Sequence, residues 1–83
     1  MRKSKLESYI DILEALANKP LILDHIAYEI NRDCTILRQH LDFLIKNRLV
    51  EERKSEKRTP YAITEKGIAV LRTLSFQKYF GKI

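Results

Sequence analysis

Arg38 and Gln39 stand side by side in Thr35-Ile36-Leu37-Arg38-Gln39, and both have the chemistry of base reading. An arginine fork pairs with the two acceptors of guanine, and a glutamine amide pairs with the donor and acceptor of adenine. Further along, Arg53, Lys54, Lys57 and Arg58 make a basic cluster suited to phosphates rather than to base edges. Arg32, Lys46, Lys3 and Lys5 add positive charge around these two groups. The plainer alternative is a solvated helix face and a charged loop, which many small basic domains carry. Other chemistry is scarce. No Gly-rich phosphate loop, Ser/His/Asp set or HExxH occurs, so the chain is not expected to be an enzyme. Cys34, His25 and His40 lack any zinc-ligand spacing, so neither a metal nor another cofactor is expected. Cys34 falls at the start of a helix, where a thiolate is favoured and a redox switch is conceivable, but a small half-buried residue is the expectation. His40, Tyr28 and Phe43 are read as packing residues, the two aromatics against the hairpin or the last helix.

Composition narrows the class. Eighty-three residues suit one domain, with 45% apolar and 33% charged residues, which fits a folded, soluble chain. No apolar run approaches the roughly 20 residues needed to span a bilayer, and Glu7 and Asp11 interrupt any leader-like segment after Met1-Arg2-Lys3. A single cysteine excludes an internal disulfide and is compatible with a reducing cytoplasm. Net charge is +5 and the pI near 9.5. The distribution is more telling. From Leu6 to Asn31 the charges are Glu7, Asp11, Glu14, Asp24 and Glu29 against Lys19 alone. From Arg32 to Thr59, Arg32, Arg38, Lys46, Arg48, Arg53, Lys54, Lys57 and Arg58 outnumber Asp33, Asp42, Glu51, Glu52 and Glu56. One acidic and one basic side would orient the molecule toward a polyanion.

The elements that must hold these residues are legible from periodicity. Ser4 and Glu7 form a capping-box pattern, and Leu6, Tyr9, Ile10, Leu13, Leu16 and Ala17 then recur at helical spacing until Asn18-Lys19-Pro20. Leu21-Ile22-Leu23 reads as a link with at most one β-bridge. A second helix is expected from about Asp24 to Asn31, with Leu23, Ile26, Ala27 and Ile30 inward. Asn31-Arg32-Asp33 makes the turn, and Asp33 caps a third helix. In that helix Leu37, Leu41 and Leu44 face one way. At roughly 100° per residue, Thr35, Gln39 and Lys46 face the other, with Ile36 and Arg38 on the flanks. Asp42 also lies outward but further along, so contact should fall on the first two turns. The pair is a helix-turn-helix. Two strands follow, Leu49 to Arg53 and Tyr61 to Thr64. The joining segment has neither Gly nor Asn and should be a longer, mobile, charged loop.

Thr64 caps a fourth helix over residues 65–83, ended near Gly81. Ile68, Leu71, Leu74 and Ser75 suit packing on the first helix. Phe76, Tyr79, Phe80 and Ile83 form a second apolar stripe, more than a small domain needs. A homodimer with Leu74, Phe76, Tyr79, Phe80 and Ile83 at its interface is expected, because a twofold hides the same patch on both chains. The alternative is a terminus folded back on its own domain.

The run His40-Leu41-Asp42-Phe43-Leu44 to Arg48-Leu49-Val50, followed by Tyr61-Ala62-Ile63-Thr64-Glu65-Lys66-Gly67 and Leu71, resembles the winged helix-turn-helix proteins. The resemblance implies a mainly α fold: a three-helix core, a two-stranded hairpin wing and a C-terminal helix. It also implies Thr35, Ile36, Arg38 and Gln39 in a DNA major groove, with Arg53, Lys54, Lys57 and Arg58 on the wing against the backbone or minor groove. More narrowly, the chain is similar to small archaeal winged-helix proteins that pair through the last helix. Two departures stand out. Members usually have Gly where Arg48 stands, so Asn47 or Arg48 must take the left-handed turn, and the last helix stops early for a long coiled coil. The expected function is therefore a sequence-preferring, homodimeric transcriptional regulator on double-stranded DNA, in the cytoplasm at the nucleoid. No membrane or small-molecule effector is expected. An architectural DNA-binding protein and a winged-helix protein-interaction module are the alternatives.

Overall fold

The computed structural model describes residues 5–55 and 57–80, with side chains as far as Leu74 apart from Glu56. Ser4, Lys3 and Ile83 lie outside the described residues, as do the side chains of Ser75, Phe76, Tyr79 and Phe80. The element order is α1 (Lys5–Asn18), α2 (Leu23–Ile30), α3 (Cys34–Lys46), β1 (Val50–Glu52), β2 (Tyr61–Ile63) and α4 (Glu65–Phe80). The fold is thus mainly helical with one small hairpin. β1 and β2 pair antiparallel with Val50 opposite Ile63 and Glu52 opposite Tyr61. The expected bridge exists: Leu21 exchanges both backbone hydrogen bonds with Tyr61, at 3.0 and 2.8 Å. This stitches the link before α2 onto the wing.

The core gathers Ile12, Leu13, Leu16, Leu21, Ile26, Leu37, Leu41, Leu44 and Val50. Helix α1 is its hub, meeting α2, α3, β2 and α4. Being surrounded, α1 buries a wider arc than one apolar stripe. Ser8 and Ile12 are buried although neither belongs to the expected face, whereas Leu6 is 50% exposed and Ala17 is exposed. Leu71 packs on the core and Leu74 is half-buried, but Ile68 stands exposed.

Several local expectations change. Helix α2 spans Leu23 to Ile30, and Asn31 follows in the left-handed conformation, φ 53°, its N–H donating to the Ala27 carbonyl. Asn is a residue type that tolerates this conformation. Asp33 occupies the N-cap position of α3, yet its side chain makes no capping hydrogen bond. After α3 it is Arg48 that turns left-handed, φ 63°, while Asn47 stays at φ −92° and donates its side-chain amide to the Phe43 carbonyl. Both strands are shorter than expected, the first lacking Leu49 and Arg53 and the second Thr64. Thr64 leaves β2 to cap α4, accepting the Gly67 N–H at 3.0 Å and donating its hydroxyl to the Arg48 carbonyl at 2.6 Å.

Candidate nucleic-acid interface

Helix α3 is divided sharply. Leu37, Leu41 and Leu44 have no exposed surface and fix the helix against the core. Thr35, Ile36, Arg38, Gln39 and Lys46 are all exposed and share its outer side, so the structure brings the expected reading residues together. Arg38 and Gln39 line one shallow groove with Leu23, Cys34, Thr35 and Asp42. On the wing side Arg38 meets Arg58, Thr59 and Tyr61 in a second groove, closed by Ile22, Leu23 and Asp24 at the start of α2.

The wing tip is more ordered in its bonding than a long loop. Ser55 donates its N–H and its hydroxyl to the Arg58 carbonyl, at 2.9 and 2.7 Å, and its hydroxyl accepts the Arg58 N–H. Arg53 donates to the Pro60 carbonyl at 2.8 Å just below it. A serine hydroxyl performs the closure for which Gly or Asn was sought. Arg53, Lys54, Lys57 and Arg58 are exposed around this turn. Arg53 also faces Glu51, Nε to Oε1 3.4 Å, an exposed pair that stabilises little.

Arg32 has a partner on α1. It is half-buried and donates Nη2 to the Ser8 hydroxyl at 3.2 Å, so its side chain is turned toward α1. Lys5 is exposed at the start of α1. His40 packs its ring edge-on against Tyr9 at 5.1 Å, and Phe43 stacks on the same Tyr9 at 4.7 Å. Phe43 therefore leans on α1 rather than on the expected hairpin or last helix, and Tyr28, 87% exposed, is not the packing residue expected. Burial, then the charges of Arg32 and Lys5, hold His40 below its ordinary pKa. Tyr61 is raised, first by burial and then by Glu52, with Asp42 adding to the rise and Arg38 opposing it.

Tyr61 and Asp42 join the interface without having been expected there. No spacing in the sequence pointed to Tyr61, because only the fold sets it beside Arg38 and Arg58. Cys34 is exposed rather than half-buried. Among the described residues no three His, Cys, Asp or Glu side chains gather as a metal site requires. Among them, too, no helix is long and apolar enough to cross a membrane.

Three helices, the third presented outward beside a basic hairpin that leads to a fourth helix, define a helix-turn-helix domain with a wing. The chain matches the winged helix-turn-helix family over residues 2–80 and belongs to that family. No protein of curated function matches it in sequence. Among solved structures it is similar to a possible HxlR family transcriptional factor from Thermoplasma volcanium GSS1, at 31% identity and TM-score 0.76. That match covers 88% of this chain and 70% of the other. Lactococcus lactis ZitR, solved in complex with DNA, matches at 17% identity and TM-score 0.75, over 95% of this chain and 55% of its own. The homodimeric winged helix-turn-helix DNA-binding domain of Mycobacterium bovis Mb0332, a possible ArsR-family transcriptional regulator, matches at 21% and TM-score 0.69. It is covered over 76% of its length by 94% of this chain. The last two likenesses are of fold.

Proposed function

We propose that this chain is a sequence-preferring DNA-binding protein that regulates transcription as a homodimer, in the cytoplasm at the nucleoid. The division of α3 carries the reading: a fully buried leucine face holds an exposed, mostly polar one beside a basic hairpin. A helix so presented fits the width of a major groove. Arg38 and Gln39 read base edges, with Thr35 and Ile36 beside them. Arg53, Lys54, Lys57 and Arg58, together with Lys46, Arg32, Lys5 and Lys3, neutralise phosphates and set the register. The DNA complex of ZitR and the homodimeric Mb0332 domain support both uses of this fold. Pairing runs through α4, using Leu74, Phe76, Tyr79, Phe80 and Ile83.

The test is DNA affinity against salt, comparing random duplex with fragments selected from a sequence library. A log–log slope of about −0.9 per neutralised phosphate is expected, with the best fragment bound at least ~10³-fold tighter than random DNA. Uniform affinity would replace the regulator with an architectural protein. Failure to bind any duplex at low salt would leave the protein-interaction module.

A further inference from the structure

We propose that Lys5, Arg32 and His40 hold a DNA backbone phosphate on the side of α3 away from the wing, and that His40 takes up a proton from solvent as it does so. The proposal rests on the DNA-binding reading above and gives it a second phosphate contact with its own signature. The three residues come from three places, α1, the α2–α3 turn and α3 itself: Arg32 bonds Ser8, His40 packs on the adjacent Tyr9, and Lys5 lies one helical turn before Tyr9 on α1. Their position on α3 follows from helical geometry. His40 lies about 200° around the axis from Arg38 by way of the exposed face, and Thr35, Gln39 and Lys46 lie on that arc between them. Arg38 meets the wing, through Arg58 and Tyr61. His40 meets α1, through Tyr9. The reading face is thus flanked on one side by the basic wing and on the other by this cluster. A helix seated in a major groove has a sugar–phosphate strand on each side, so both flanks need cations.

Electrostatics favour an anion there. Arg32 is held toward α1 by its bond to Ser8, next to the Tyr9 on which His40 packs. Among the described residues, the charged groups acting on His40 are Arg32 and Lys5, both positive, and the titratable ring against it from α1 is Tyr9. The acid of α3, Asp42, acts on Tyr61 at the opposite flank. In the free protein burial, then these two cations, hold the imidazole below its ordinary pKa. A phosphate placed among them offsets the repulsion and favours the imidazolium, so its binding and protonation of His40 reinforce each other.

The experiment measures affinity for a random-sequence duplex at constant ionic strength, at about pH 8 and about pH 6, for the full chain, His40→Gln and His25→Gln. Binding should tighten by about 3–10-fold toward the lower pH. His25, exposed on α2, serves as the control: His25→Gln keeps the response and His40→Gln loses it. In parallel, NMR titration of the unmodified chain follows the His40 ring, whose pKa should move from below 6.5 to above it when duplex is added. That readout stands even where His40→Gln perturbs the fold. DNA binding with no pH response, a response that survives His40→Gln, or a ring that shifts with inorganic phosphate but not with duplex would each overturn the proposal alone. Absence of DNA binding at low salt would overturn it together with the function it rests on.

Discussion

At the scale of single residues, the two basic groups should fail differently. Arg38→Ala is expected to relax preference at one base position, costing about 1–3 kcal/mol on the best site and less on random DNA. Lys57→Ala should weaken every sequence alike and lower the salt slope by about 0.9. Competition binding on selected and random duplexes separates them, and equal losses on both would end the division of roles. His40 carries a stability prediction as well. Its folded pKa lies below the ordinary 6.5, so the unfolded chain takes its proton more readily. Stability held above that value is therefore lost as pH falls through and below it. Thermal melts from about pH 7 to about pH 5 should show the loss, and His40→Gln should make it shallower. Arg38 and Gln39 were legible because a 3.6-residue repeat assigns them a face without any knowledge of neighbours. Arg32 bonding Ser8, Phe43 on Tyr9 and Tyr61 aimed at α3 were not, because each depends on which element packs where.

Among the elements, the junction of α3, β1 and α4 is the most constrained. A Cβ on Gly67 would come 2.1 Å from the Leu49 carbonyl oxygen and 2.7 Å from the Ile63 side chain. Backbone cannot yield as a side-chain end can, so Gly67→Ala should destabilise by about 2–3 kcal/mol, read by denaturant unfolding. Arg48 presents the reverse case. Its left-handed backbone strains any residue with a Cβ, and Arg48→Gly should stabilise by about 0.5–1 kcal/mol, the left-handed strain outweighing the added freedom of the unfolded chain. A lower unfolding midpoint in that variant would show that the Arg48 side chain does more than tolerate the turn. Helices were legible from period and stops. The site of the left-handed turn was open between Asn47 and Arg48, because residue type alone favours asparagine while the carbonyl that Thr64 must reach decides for Arg48. The closing bonds of the wing loop were not legible for a similar reason: Ser55 makes them through its hydroxyl, which composition rules for hairpins do not weigh.

For the whole molecule, the expected state is a dimer. Sedimentation equilibrium should give twice the chain mass, and the thermal midpoint should rise with protein concentration, since association stabilises the folded state by mass action. A midpoint independent of concentration, with a monomer mass, would remove pairing from the proposed function. The order of elements was readable throughout, but the assembly was read only from surplus apolar residues after Leu74. The Thr64 hydroxyl ties the Arg48 carbonyl to the start of α4, and Gly67 lies flush on Leu49. In the proposed dimer this leaves no pivot between the pairing helix and the reading helix. The two reading helices are then set at one separation and one rotational phase, like teeth cut on a single bar. One base pair inserted between half-sites turns the second by about 35°, and a protein without a joint there must twist the DNA or release one half.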